Sequence, residues 1–185
     1  MSALADDQYL LRLARCVAVA GLGLSAGVMA TIPALTLPVL FSSSLSAEAR
    51  LHTMMRLYDR VSAFMKPFVL SLSVLLGVCA VAANEPLMPA GWVEKNRKAL
   101  LAAAALLNLA IAPYSMLFLS PLNRKLQGME RNVTKAKADG DHDAAAASAH
   151  EADILLARNY GKMYTVKVAL GLAALVCAMA ELGFA

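Results

Sequence analysis

The stretch CVAVAGLGLSAGVMATIPALTLPVLF at residues 16–41 carries no charged side chain, and about 20 apolar residues already cross the hydrocarbon core of a bilayer as a helix. The run is too long for a cleaved signal segment, and Asp6 and Asp7 precede it where a signal peptide carries cations. Pro33 and Pro38 end the regular helix near Ile32, because proline lacks an amide proton and restricts the residue before it. Gly21, Gly23, Ser25 and Gly27 make one side of this helix small. Gly23 and Gly27 stand in the spacing that lets a second helix approach closely, here expected within one chain.

Outward from this stretch the pattern repeats. Residues 68–83 and 99–122 are apolar runs, the latter interrupted by Asn108 and Pro113, and residues 168–180 are again wholly apolar. Between the first and second runs, Ser46 reads as a helix cap with Glu48 in the first turn. Leu51, Met54, Tyr58, Val61 and Met65 then recur at helical spacing. This polar helix is either interfacial or the extramembrane start of the second span. The expectation is an all-α integral membrane four-helix bundle with a polar interfacial helix between the first and second spans. It forms a single membrane domain over residues 1–185, with spans at about 12–33, 64–83, 99–122 and 160–183. The last helix is expected to start near Ala152, and a long polar loop occupies about 127–152, within which KAKADGDHDAAAAS at 135–148 reads as a surface loop or frayed helix. Residues 84–98 read as a turn, with Pro86, Pro89, Gly91 and the interfacial anchor Trp92.

Composition agrees with lipid as the solvent. The 185 residues are 59% hydrophobic and 16% charged, against about a quarter charged in soluble domains, so the polar surface is too small to cover the chain in water. The surplus of 17 basic over 13 acidic residues flanks the apolar runs and lines no groove, which argues against a nucleic-acid partner. Two cations precede the first span, four follow it, three follow the second and eight follow the third. Five (2 + 3) therefore oppose twelve (4 + 8), which assigns the loops after the first and third spans to the cytosol. Both termini then share the other side, the polar chemistry gathers at the cytosolic face, and the protein is expected in the endoplasmic reticulum or another endomembrane. The sequon Asn132-Val133-Thr134 falls on the cytosolic side, so a glycan there would reverse the assignment. Cys16, Cys79 and Cys177 lie in apolar runs without metal or disulfide spacing. His142 and His150 with Asp141, Asp143 and Glu151 fit no metal-ligand pattern.

Polar groups at or inside the spans are the candidates for chemistry. Asn108, Ser115 and Asn123 share a broad stripe of the third helix, with Ser115 about 20° behind Asn108 and Asn123 about 60° ahead at 100° per residue. An interhelical hydrogen bond is the plainer role for Asn108. Tyr160, Tyr164 and Lys167 share one face of the last helix, beside Asn159, as interfacial anchors or as the wall of a cavity offering phenol donors and a cation to an anion. His52, Tyr58, Asp59 and Arg60 are candidates for proton transfer unless they form a solvated helix face.

Three segments carry a resemblance. APYSMLFLSPLNRKL at residues 112–126 resembles the third-helix motif of the anthrone oxygenase-like membrane proteins, a proline in the span followed by Pro-x-Asn-Arg/Lys-x-Leu at its exit. YGKMYTVKVALG at residues 160–171 resembles the last-helix motif of that family, Trp-x-x-x-His-x-x-Arg, with Tyr160, Tyr164 and Lys167 in place of the three named residues. Residues 25–67 are similar to the fungal branch, with Met54 replacing the tryptophan of Trp-x-x-x-Tyr and Tyr58 retained. The resemblance implies oxidation of a polycyclic phenolic polyketide of anthrone type to a quinone, by deprotonation and direct reaction with dioxygen. No cofactor is expected, dioxygen is the co-substrate, and a metal or haem recruited without a motif stays allowed. The implied catalytic set is His52, Asp59, Asn123, Arg124, Tyr160, Tyr164 and Lys167, with His52 or Asp59 as base, and the implied substrate contacts are Tyr58, Asn108, Tyr114, Ser115 and Asn159. Expected partners are the bilayer and a small lipophilic aromatic substrate, with self-association allowed. The alternatives are a non-catalytic membrane scaffold or lipophile-binding protein, and a membrane transferase using a thiol cofactor.

Overall fold

Proline shapes the helices more subtly than by ending them. In the computed structural model, which describes residues 2–83 and 92–183, α1 (Ser2–Thr31) passes through a π turn, Ile32–Thr36, into α2 (Leu37–Ser42). The Leu37 amide donates to the Ile32 carbonyl, so the backbone widens by one residue where Pro33 cannot donate. Similarly α5 (Arg97–Tyr114) meets Pro113 and continues through a π turn, Ser115–Leu119, into α6 (Ser120–Ala138). The chain is completed by α3 (Ala47–Ala82), the short α4 (Trp92–Lys95), α7 (His142–Leu155), a third π turn at Leu156–Tyr160 and α8 (Gly161–Gly183). No proline accompanies that third π turn.

Among the described residues, four continuous helical stretches, Tyr9–Ser42, Ala47–Ala82, Arg97–Ala138 and His142–Leu182, are long and apolar enough to cross a membrane. The protein is an all-helical, multi-pass membrane protein. The polar segment before the second span is not a separate interfacial helix, because it continues through Pro67 as the start of α3. The expected polar loop at 127–152 is instead a helical hairpin. Here α6 runs on to Ala138, and α7 starts at His142 rather than near Ala152. The physical reason is capping: the Asp141 side chain accepts from the Ala144 amide and Gly140 takes the positive φ of 77° that the turn requires. The Gly140 and Asp141 amides reach back to the Lys137 and Ala136 carbonyls at 3.1 and 2.8 Å. Gly140→Ala is therefore expected to cost about 1–2 kcal/mol, read as a lowered unfolding midpoint. Of the turn expected at 84–98, Pro86, Pro89 and Gly91 lie outside the described residues, while Trp92 is exposed as expected of an anchor.

The chain divides into two compact units. One unit comprises residues 1–27, 66–112 and 168–185. Its core is built from Ala18, Leu22, Leu72, Leu76, Leu101, Ala104, Ala174 and Ala178, where the alanines let helices pack closely. Gly21 lies against Leu72, whereas Gly23 and Gly27 face open space. The close-packing face is thus Gly21 with buried Ser25, not the GxxxG pair, which points the other way around the helix. In this unit the Asn108 amide nitrogen donates to the Val69 carbonyl and the Ser73 hydroxyl, each at 2.9 Å. These bonds fasten α5 to α3, so Asn108→Leu is expected to lower stability by about 1 kcal/mol and to leave substrate affinity unchanged in a binding titration.

The other unit comprises residues 28–65 and 113–167. All three described π turns lie in it. Ion pairs tie its hairpin to the start of α3: Arg50 grips Asp153 with two nitrogens, Lys137 meets Glu48 at 2.6 Å, and His52 meets Glu130.

Candidate functional site

Along the last long helix, Ala152, Leu156, Tyr160 and Tyr164 are all buried at a strict spacing of four. In a regular α-helix each four-residue step drifts by about 40°, so such a run spirals off its face. The π turn at Leu156–Tyr160 widens the helix and holds the run on one side. Two tyrosines are thereby placed in the interior: Tyr160 is 0% and Tyr164 2% exposed, and their rings stack with centroids 5.2 Å apart. The surrounding core is otherwise apolar, built from Leu51, Met54, Met55, Leu119, Leu122, Leu126 and Met129 among others.

Asn123 is buried in the same unit at 2% exposure. Neither atom of its amide completes a hydrogen bond, and the Tyr160 hydroxyl completes none either, although the Tyr164 hydroxyl lies near it. A buried amide in this condition costs about 1–3 kcal/mol, so its presence in an apolar core calls for a reason. Tyr58, half-buried on the Met54 face of α3, brings its hydroxyl near the Asn123 amide without completing a hydrogen bond. It also lies within electrostatic reach of Tyr160 and Tyr164. The Lys167 ammonium sits 5.2 Å from the centroid of the Tyr164 ring. Tyr58, Asn123, Tyr160, Tyr164 and Lys167 thus form one cluster of phenols, an amide and a cation, suited to holding an oxygen that carries or acquires negative charge.

The remaining candidates fall elsewhere. His52 is exposed, its Nδ1 against the Glu130 carboxylate. Asp59 and Arg124 are exposed, each one residue away from a cluster member and hence about 100° around its helix. Asn159 is exposed, and Ser115 opens a π turn. The Tyr114 hydroxyl donates to the Met163 carbonyl at 3.0 Å, which fixes the α8 backbone between Tyr160 and Tyr164. Asn108 belongs to the other unit and to helix packing. Asp141 serves as a helix cap.

One group escaped the sequence reading altogether. Glu181, 1% exposed, presents a single carboxylate oxygen to Arg15 Nη1 at 3.1 Å and to Arg97 Nε at 3.0 Å. Arg15 is itself buried. The expectation that polar chemistry gathers at one face of the bundle thus overlooks a buried charge network at the far end of α8. The only available signal was a carboxylate within the closing apolar run, AMAELGFA at residues 178–185, which a fully lipid-facing helix would not carry.

Among known proteins, a family model described as anthrone oxygenase matches residues 54–177, that is 124 of the 185 residues. No curated protein and no solved structure matches the chain. The matched stretch contains Tyr58, Asn123, Tyr160, Tyr164 and Lys167, and excludes Arg15 and Glu181. With more than half of its length matched in this way, the chain belongs to the anthrone oxygenase family.

Proposed function

We propose that this membrane protein oxidises a hydroxylated anthrone of polyketide origin to the anthraquinone, using dioxygen and no resident cofactor. The observation that supports it most is the buried amide of Asn123, without a completed hydrogen bond, in the same otherwise apolar unit as the buried Tyr160 and Tyr164 phenols of a chain from this family.

The chemistry asks little of the protein. The methylene between the two outer rings of an anthrone is acidic because the anion left behind is an aromatic phenolate, with its charge largely on oxygen. The Asn123 amide and the phenols of Tyr160 and Tyr164 supply donors for that oxygen, and the apolar core around them strengthens each contact. The proton leaves towards Tyr58, which reaches from the cluster to the half-exposed side of α3 beside solvent-facing Asp59. Asp59 is a better placed acceptor than His52, which is engaged with Glu130 at the surface. The anion gives one electron to dioxygen, and the resulting radical and superoxide join through a new carbon–oxygen bond. The peroxide takes up a proton and loses water, leaving the second carbonyl. In sum, one methylene and one dioxygen give one carbonyl and one water.

The experiment is quinone formation by purified protein in lipid nanodiscs, followed by absorbance against autoxidation of the same hydroxyanthrone. A protein-dependent rate at least about a hundredfold above autoxidation is expected. Binding of the anthrone without acceleration would leave a lipophile-binding protein instead.

A further inference from the structure

We propose that Lys167 marks where dioxygen meets the bound organic anion, its ammonium stabilising the superoxide formed there; this rests on the oxygenase reading above. Lys167 lies one helical turn beyond Tyr164 and two beyond Tyr160, on the same face of α8. It is half-buried, and its ammonium lies 5.2 Å from the centre of a Tyr164 ring that is itself only 2% exposed. That ring in turn stacks on Tyr160. A fixed positive charge therefore stands at the edge of the aromatic pair, on the side away from α7.

Its chemistry differs from that of the other members of the cluster. Asn123 and Tyr160 offer directional hydrogen bonds, whereas an ammonium acts chiefly by its field. The charge of the organic anion, largely on oxygen, is already met by the amide and phenol donors, and the neutral quinone carries no charge for Lys167 to hold. Dioxygen enters neutral and apolar, soluble in the surrounding lipid, and leaves the electron transfer with a full charge on two atoms. The step that gains most from Lys167 is thus the transfer itself. The organic anion loses one electron and becomes a radical, dioxygen gains that electron and becomes superoxide, and the two combine into the peroxide that later expels water. Fixed charge placed where charge develops accelerates a step without tightening the ground state.

The test is steady-state kinetics against dioxygen at saturating 1,8-dihydroxyanthrone, with wild type, Lys167→Met and Lys167→Arg in nanodiscs. Binding of 1,8-dihydroxyanthraquinone, followed by its fluorescence, reports separately on the organic site and on folding. Lys167→Met is expected to lower kcat/KM for dioxygen by about tenfold or more, with quinone affinity unchanged within about twofold, and Lys167→Arg to recover most of the loss. An unchanged kcat/KM for dioxygen in Lys167→Met, or a loss that falls on quinone affinity instead, overturns the assignment while leaving the oxygenase reading intact. A wild-type protein no faster than autoxidation overturns both.

Discussion

Glu181→Ala is expected to destabilise the protein by about 3–5 kcal/mol. The carboxylate is 1% exposed and neutralises Arg15, which is buried, and Arg97, which is mostly so. Both guanidinium groups approach the same oxygen, and neither contact has the alignment of a good hydrogen bond. The network is therefore held by charge, and removing its centre leaves two cations side by side with no counter-charge between them. Reversible unfolding in mixed micelles measures the loss. A second variant isolates the cause. Replacing all three residues together, Arg15→Met, Glu181→Leu and Arg97→Met, removes the charges along with their desolvation cost, and is expected to recover most of the stability. If Glu181→Ala costs less than about 1 kcal/mol, the network does not hold α1, α5 and α8 together.

Asn123→Leu is expected to move activity and stability in opposite directions. The two side chains share the same branched skeleton and leucine is the bulkier, so the substitution leaves no cavity. An amide that pairs with nothing is replaced by a group that needs no partner, and stability should rise by about 1 kcal/mol or more. Turnover of the hydroxyanthrone should fall by roughly two to three orders of magnitude, the loss seen when one donor to a developing oxyanion is removed. Unfolding and rate measurements on the same preparation decide the matter. A loss of both would make Asn123 an ordinary packing residue. An unchanged rate would place the chemistry elsewhere. A residue that weakens the fold while serving the reaction is the trade-off expected at a functional site.

The residues that were legible in the sequence, and those that were not, divide along physical lines. The four spans follow from the length of charge-free runs, which the bilayer fixes independently of tertiary detail. Asn123 was readable because an amide at the exit of an apolar helix needs a partner, and because Pro121 and Arg124 frame it in a family motif. Tyr160 and Tyr164 were readable from their spacing, although the π turn that keeps them on a common face with Leu156 was not, since no proline announces it. His52 and Asp59 are candidates by their chemistry alone. Yet the stripe of Leu51, Met54 and Tyr58 already assigned the inward face of α3, and both lie off it. The hairpin of α6 and α7 was hidden because alanines and acidic residues carry no strong apolar period. What organises it is local: a cap at Asp141 and a left-handed turn at Gly140. Glu181 was hidden for the opposite reason. Its partners come from two other helices, α1 and α5, and no local pattern joins them.

The central claim is that the cluster around Asn123 and Tyr160 brings a phenolic anion to dioxygen. Its most direct test supplies 18O-labelled dioxygen to wild-type protein and to Asn123→Leu, each in nanodiscs with 1,8-dihydroxyanthrone, and follows the new quinone carbonyl by mass spectrometry from the first seconds. The account predicts rapid appearance of one labelled oxygen per quinone with the wild type, and a rate close to that of empty nanodiscs with Asn123→Leu. Labelled quinone forming no faster with the wild type than in empty nanodiscs would contradict it.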